Sequence, residues 1–274
     1  MRLCMFSPRA LDLERGWPGR IEGDRVVQLA AQTLQAFFTG GGSAREHAEY
    51  PLDEVVLRAP VLQPPSLRDF YAFEQHVATA RALRGAEVPA EWYEQPVFYF
   101  SNPASIHGPE QEVAYPEGSE ELDYELEVAA VIGAGGATGG FTIMNDWSAR
   151  DLQRAEMRVG LGPAKGKDFA TSLGPVLVTP DEFDGSEAEL VARVNGEERS
   201  RGNLRDLYHP WEAILAHAAR CTRLLPGDVL GSGTVGSGCI LEHGDGRWLQ
   251  PGDVVELEVE GIGVLRNVVG PRRA

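Results

Sequence analysis

The feature that most restricts how this chain can fold is a turn written twice near its C-terminus, Pro226-Gly227-Asp228-Val229 and Pro251-Gly252-Asp253-Val254. Proline followed by glycine supplies the central pair of a type II turn, because proline presets φ and glycine accepts the positive φ of the next position. Two such turns entering strands predict a rolled sheet rather than a solenoid. Asn195-Gly196, inside Glu189 to Ser200, is the strongest short hairpin signal in the chain. Composition agrees: 32 glycines and 18 prolines suit a turn-rich, strand-rich protein, and 43% hydrophobic residues can build one large domain with a full core, or one carrying a small domain.

Further signals mark the organisation. Arg20 to Val27 reads as a hairpin, and Ala30 to Phe38 as a short helix stopped by Gly40-Gly41-Gly42. The polar run Ser43 to Glu49 and Pro60, Pro64 and Pro65 read as a linker, which places a small β-rich N-terminal domain at residues 1–62 and the main domain at 63–274. Ser66 to Arg84 is expected to be helical, opened by a Ser66/Asp69 capping box and closed by Gly85. Strands are expected at Val97 to Phe100, Leu122 to Ile132 and Phe141 to Met144, a helical turn near Arg150 to Glu156, and an amphipathic helix from His209-Pro210 to about Arg220.

The formal charge is −16, which repels phosphate backbones and argues against a nucleic-acid partner. Three cysteines, Cys4, Cys221 and Cys239, without a CxxC spacing point away from a disulfide scaffold and toward a reducing cytoplasm. The N-terminus shows no apolar signal core and no stretch approaches membrane-spanning length, so no membrane association is expected. Among 25 basic residues only Lys165 and Lys167 are lysines, two apart in one glycine-rich segment. Where arginine is used everywhere else, a lysine needs a reason.

Glu125 and Glu127 lie two apart in an apolar run, so a strand places both carboxylates on one face and Tyr124, Leu126 and Val128 on the other. That face is either a solvated edge or, since it continues into Ala129 and Val131, an inward one, where two carboxylates stay ionised beside a hard dication. Asp146 follows an apolar strand and opens a dense polar cluster; capping the next helix and carrying chemistry are both open to it. Asp69 and His76 each have an adequate structural explanation when taken singly.

Together, Asp69-Phe70-Tyr71 with Gln75-His76, Glu125-x-Glu127, Asn145-Asp146-Trp147-Ser148-Ala149-Arg150-Asp151-Leu152-Gln153, Gly166-Lys167-Asp168-Phe169-Ala170-Thr171, and Gly236-Ser237-Gly238 with Leu241-Glu242 resemble the fumarylacetoacetate hydrolase family, in the family's order, over roughly residues 60–270. The resemblance implies a mainly β protein with some α, built on a rolled mixed β-sheet catalytic domain, and a homodimer or larger assembly. It implies a divalent ion, Mg2+ or alternatively Ca2+ or Mn2+, held by Asp69, Glu125, Glu127 and Asp146. His76 falls on the catalytic histidine, Glu242 on its orienting glutamate, and Lys167 on the catalytic lysine. Tyr71, Tyr99, Arg150, Gln153 and Thr171 match positions lining the substrate. The N-terminal region is shorter than in the animal enzymes, Met157 replaces a substrate-binding tyrosine, and neither Arg81 nor Arg84 aligns with their carboxylate clamp.

The implied activity is hydrolysis of a carbon–carbon bond in a β-diketone or acylpyruvate-type oxo acid, as in aromatic catabolism. A metal-dependent decarboxylase, hydratase or isomerase of a small 2-oxo acid is the alternative within the family. A non-catalytic metal-stabilised binding protein is the alternative outside it.

Overall fold

The computed structural model describes residues 1–11 and 13–272. Its layout follows from the strand Leu126–Ile132, which is apolar on both faces. Leu126, Val128, Ala130 and Ile132 point into one core with Phe141, Trp147 and Trp211. Ala129 and Val131 point into a second, with Leu3, Met5, Leu173 and Leu177. A strand of this kind is stable only inside a sheet covered on both sides. It pairs antiparallel with Thr138–Asn145 on one side and with Val229–Gly231 on the other.

That sheet has 12 strands and is mixed: Val229–Gly231 runs parallel to Leu67–Phe70, which is antiparallel to Phe98–Ser101. In the other direction it continues through Thr171–Val178 to Arg2–Pro8 and Trp17–Glu22, so the N-terminal strands extend the same sheet. A five-stranded sheet, including the hairpin Glu189–Val194/Glu197–Asn203 and the pair Val254–Val259/Gly263–Arg272, covers the first core. Helix Leu34–Thr39 covers the second with Leu34, Phe37 and Phe38. The protein is thus mostly β with minor α, as the turn signals require.

The turns form where glycine permits them. Gly227 and Gly252 sit at φ +89° and +92°, and Asn195 and Gly196 at φ 52° and 79°. Three expectations need correction. Ser66 to Arg84 is not one helix: Leu67–Phe70 is a buried strand, and the helix is Glu74–Ala82. Ser66 does not cap it; its hydroxyl donates to Asp228 Oδ1 at 2.8 Å, and parallel pairing with Val229–Gly231 overrides the local capping signal. The polar run expected as a linker leads into the edge strand Glu46–Pro51, whose Glu46 and Glu49 pair with Arg20 and Arg25. Charged side chains on an edge strand discourage further pairing, so such a strand reads like a loop. Finally, Leu122 to Ile132 is broken into Leu122–Asp123 and Leu126–Ile132, and Glu125 lies in the break.

Candidate metal centre and active site

The sheet delivers four carboxylates to one point. Asp69 occupies the centre of Leu67–Phe70, opposite Gly231 on one side and Tyr99 on the other. Glu127 faces Met144 across the ladder, and Asp146 follows the end of Thr138–Asn145. Glu125 is held in the strand break by its own N–H, which donates to Asn145 Oδ1 at 3.0 Å. Oxygens of Asp69, Glu125, Glu127 and Asp146 all lie within 4.8 Å of one another, and all four residues are buried. The solvated-edge reading of Glu125 and Glu127 is thereby excluded. Asp146 does not cap the following helix, whose N-cap is Ala149. Gly231 makes the assembly possible, since a β-carbon there would stand 2.4 Å from Asp69 Oδ1 and 3.0 Å from Glu127 Oε2.

The electrostatics divide the cluster. Lys167 Nζ donates to both Glu125 and Asp146, and Arg150 contacts Glu125 Oε1 at 2.7 Å and Asp123 Oδ2 at 2.8 Å. Burial opposes the charge on Glu125, but Lys167 and Arg150 outweigh it and hold this carboxyl below its usual range. Among the described residues neither Asp69 nor Glu127 is ion-paired, although Lys167 partly offsets the rise at Asp69. Burial, then the Asp146 carboxylate, pushes Asp69 well up; burial, then Asp69 and Glu125, does the same to Glu127. Asp146 is also raised by burial, against Lys167. Burial likewise opposes the charge on Lys167, but Asp146 and Glu125 outweigh it and raise its pKa. In the polypeptide alone, therefore, Lys167 is held as an ammonium.

The residues present fit a hard divalent cation. Asp69 Oδ1 and Asp146 Oδ1 are buried without a hydrogen-bond partner. Burial raises Asp69, Glu127 and Asp146 together, and an all-oxygen set of carboxylates is the preferred shell of Mg2+, Ca2+ or Mn2+.

A cavity of about 260 Å³ opens onto this cluster, lined among others by Tyr71, His76, Tyr99, Gln153 and Lys167. His76, at the start of helix Glu74–Ala82, approaches Glu242 Oε2 with Nδ1 at 2.9 Å, out of line for a good hydrogen bond. Glu242 is fixed by the Gly238 N–H at 3.1 Å and touched by the Cys239 thiol at 3.5 Å. Tyr71 meets His76 edge-on, with ring centroids 5.3 Å apart, and burial lifts its pKa to about 12. The Tyr99 hydroxyl donates to Asp146, and Gln153 accepts from Arg150 at 3.2 Å. Thr171 is different: it is buried in Thr171–Val178 and does not reach the cavity wall. Met157, Arg81 and Arg84 do reach it.

Several residues that support the site carry no motif of their own. Asp123 accepts from the N–H groups of Ile240 and Leu241 at 2.7 and 3.0 Å as well as from Arg150, tying the Glu242 segment to Glu125. Its place in the alternation Asp123-x-Glu125-x-Glu127 is the signal that could have found it. Gly233 N–H and the Thr234 hydroxyl donate to Glu127 at 3.2 and 3.3 Å, from a loop no local pattern links to it.

A mixed sheet converging on a buried all-carboxylate cluster beside a histidine–glutamate pair defines a metal-dependent hydrolase or isomerase architecture. The chain belongs to the fumarylacetoacetate hydrolase family: residues 66–270 match the model of the fumarylacetoacetate hydrolase C-terminal domain. It is 33% identical over 261 residues to the mitochondrial oxaloacetate tautomerase of Homo sapiens, covering 90% of this chain and 77% of that relative. The 5-carboxymethyl-2-hydroxymuconate delta-isomerase from Mycobacterium smegmatis superposes with a TM-score of 0.77 at 30% identity, over 100% of both chains. Fumarylacetoacetate hydrolase from Exiguobacterium antarcticum gives a TM-score of 0.81 at 27% identity, covering 99% of this chain and 100% of that one. Among the described residues no helix is long and apolar enough to cross a membrane.

Proposed function

We propose that this protein is a divalent-metal-dependent hydrolase that cleaves a carbon–carbon bond in a β-diketone or acylpyruvate-type oxo acid. The observation that carries the reading is the His76–Glu242 pair, 2.9 Å apart, with His76 on the wall of the cavity that Asp69, Glu125 and Glu127 also line. A cation held by Asp69, Glu125, Glu127 and Asp146 would supply a Lewis acid for the oxygens of the oxo acid.

The chain's own residues do the rest. With Nδ1 turned to Glu242, His76 has Nε2 free to take a proton from water as that water attacks the carbonyl beside the scissile bond. Lys167, kept protonated by Glu125 and Asp146, donates to the oxyanion that forms. The carbon–carbon bond then breaks, its electron pair leaving as an enolate that takes up a proton, so a carboxylic acid and a shorter oxo acid are released. Tyr71, Tyr99, Arg150 and Gln153 orient the substrate.

Tautomerisation or isomerisation of a 2-oxo acid is the second reading, favoured by what the human and M. smegmatis relatives are named for. It would use the same cavity for proton transfer without attack by water. Incubation with Mg2+ and a panel of acylpyruvates and oxaloacetate separates the two. Release of two acids, one carrying heavy oxygen from labelled water, supports hydrolysis. Loss of the enol signal without cleavage supports tautomerisation, and CO2 from oxaloacetate supports decarboxylation. No reaction with any of them returns the binding-protein alternative.

A further inference from the structure

A second chamber of about 300 Å³ adjoins the metal cavity, with Arg84, Arg150, Gln153 and Leu241 on the wall the two share. Beyond that wall its lining is largely apolar, from Leu83, Ile240 and Trp248, and its floor includes Gly244 and Gly246, where a β-carbon would meet nothing within 4 Å. Leu83, at the end of helix Glu74–Ala82, is 56% exposed. Among the described residues no acidic side chain lines this chamber. Arg150 and Arg154 are paired with carboxylates outside it, and of its arginines only Arg84, on the shared wall, lacks a carboxylate partner among the described residues, so the inner chamber is not a cation site. Each cavity alone sits at or below the small end of the range for small-molecule sites, about 300–1,000 Å³, and the two together fall within it.

We propose that this chamber binds the acyl arm of the substrate, and that the arm is apolar, an alkyl chain or an aromatic ring. This deepens the hydrolase reading and rests on it. With the two oxo groups and the carboxylate of a 2,4-dioxo acid at the Asp69/Glu125/Glu127/Asp146 end, the substituent on the far carbonyl has to leave the 260 Å³ cavity, and past the shared wall Leu83, Ile240 and Trp248 offer it apolar surface. Water attacks the carbonyl bearing the arm, so the arm departs as a carboxylic acid and the head as pyruvate. Leu83 and Trp248 are specificity-determining residues that take no part in the chemistry.

The test is a series of acylpyruvates with acetyl, hexanoyl, benzoyl and succinyl arms, assayed with Mg2+ on the wild-type enzyme, Leu83→Trp and Trp248→Ala. Burying a methylene is worth roughly fourfold in affinity, so kcat/KM is expected to rise at least about tenfold from acetyl to hexanoyl or benzoyl. Leu83→Trp fills the chamber from an exposed position; it is expected to abolish that gain and leave acetylpyruvate turnover unchanged. Trp248→Ala is expected to reduce the gain severalfold. A flat series, a gain that survives Leu83→Trp, or a preference for the carboxylate-ended succinyl arm overturns the proposal. If no compound is cleaved, the hydrolase reading fails by itself, and Mg2+-dependent binding of the same compounds by calorimetry reads the chamber. Arm-dependent affinity that Leu83→Trp removes would uphold it, and affinity independent of the arm, or no binding, would overturn it.

Discussion

Glu127→Gln should reverse its effect on stability according to whether Mg2+ is present. Glu127 is fully buried, and an oxygen of its carboxylate lies within 4.8 Å of one of Asp69, with no ion pair to either among the described residues. At that separation, with an effective dielectric of about 20, two like charges cost about 3–4 kcal/mol. The chain avoids the full cost by protonation: burial and then the Asp146 carboxylate raise Asp69, and burial and then Asp69 and Glu125 raise Glu127. Glutamine removes one charge and keeps a carbonyl oxygen for the Gly233 N–H, losing at most one hydrogen bond, about 1 kcal/mol. In a chelator near pH 8 the variant should therefore be more stable than wild type by about 2 kcal/mol, a Tm gain of several degrees for a protein of this size.

With Mg2+ at about a hundred times its Kd, wild type gains about 2.7 kcal/mol, and the variant, lacking one carboxylate ligand, gains far less. The pH dependence carries the same signature. Folded-state pKa values above the unfolded ones mean that the native chain binds more protons, so this contribution is complete below the unfolded carboxylate range and is lost as pH rises through the raised values. Metal-free wild type should lose stability with rising pH relative to the variant, a difference that cancels the contribution of the histidines. Thermal melts of both proteins at pH 6 and pH 8, in chelator and in Mg2+, measure all four terms. A variant less stable than wild type in chelator, with an unchanged Mg2+ increment, would refute the reasoning.

Two further outcomes follow from the geometry. His76→Ala should leave the Mg2+-induced Tm increment near wild type while hydrolysis falls on the order of a hundredfold or more, the usual scale for losing a general base; full turnover of the right substrate by this variant would remove His76 from the mechanism. Lys167→Arg should lose most turnover, because a planar guanidinium cannot take the place of an ammonium enclosed by Glu125 and Asp146, whereas Lys165→Arg should be mild, since Lys165 is 75% exposed and pairs with Asp168 at the surface. Steady-state kinetics and melting curves on both variants decide this, and an active Lys167→Arg enzyme would show that any cation serves.

What the sequence determined by itself was local or periodic. Gly227, Gly252 and Asn195-Gly196 are turns because their φ values require such residues, whatever surrounds them. The alternation of Glu127 with Ala129 and Val131 set one face of the strand, and the apolar residues on it pointed that face inward, whereas Glu125 reaches the cluster from the strand break. Tertiary structure decided what depends on partners distant in the chain. Ser66 and Asp69 carry a sound helix-start signal, yet they form a strand entry because Asp228 and Gly231, with Ser66 and Asp228 separated by 162 positions, offer a hydrogen bond and a parallel edge worth more than one capped turn. Asp123 joins the site only where the Ile240 and Leu241 amides and Arg150 converge on it. The two lysines look alike in sequence, but folding leaves Lys165 in water and encloses Lys167 between two carboxylates, because only the packed sheet brings Glu125 and Asp146 together there.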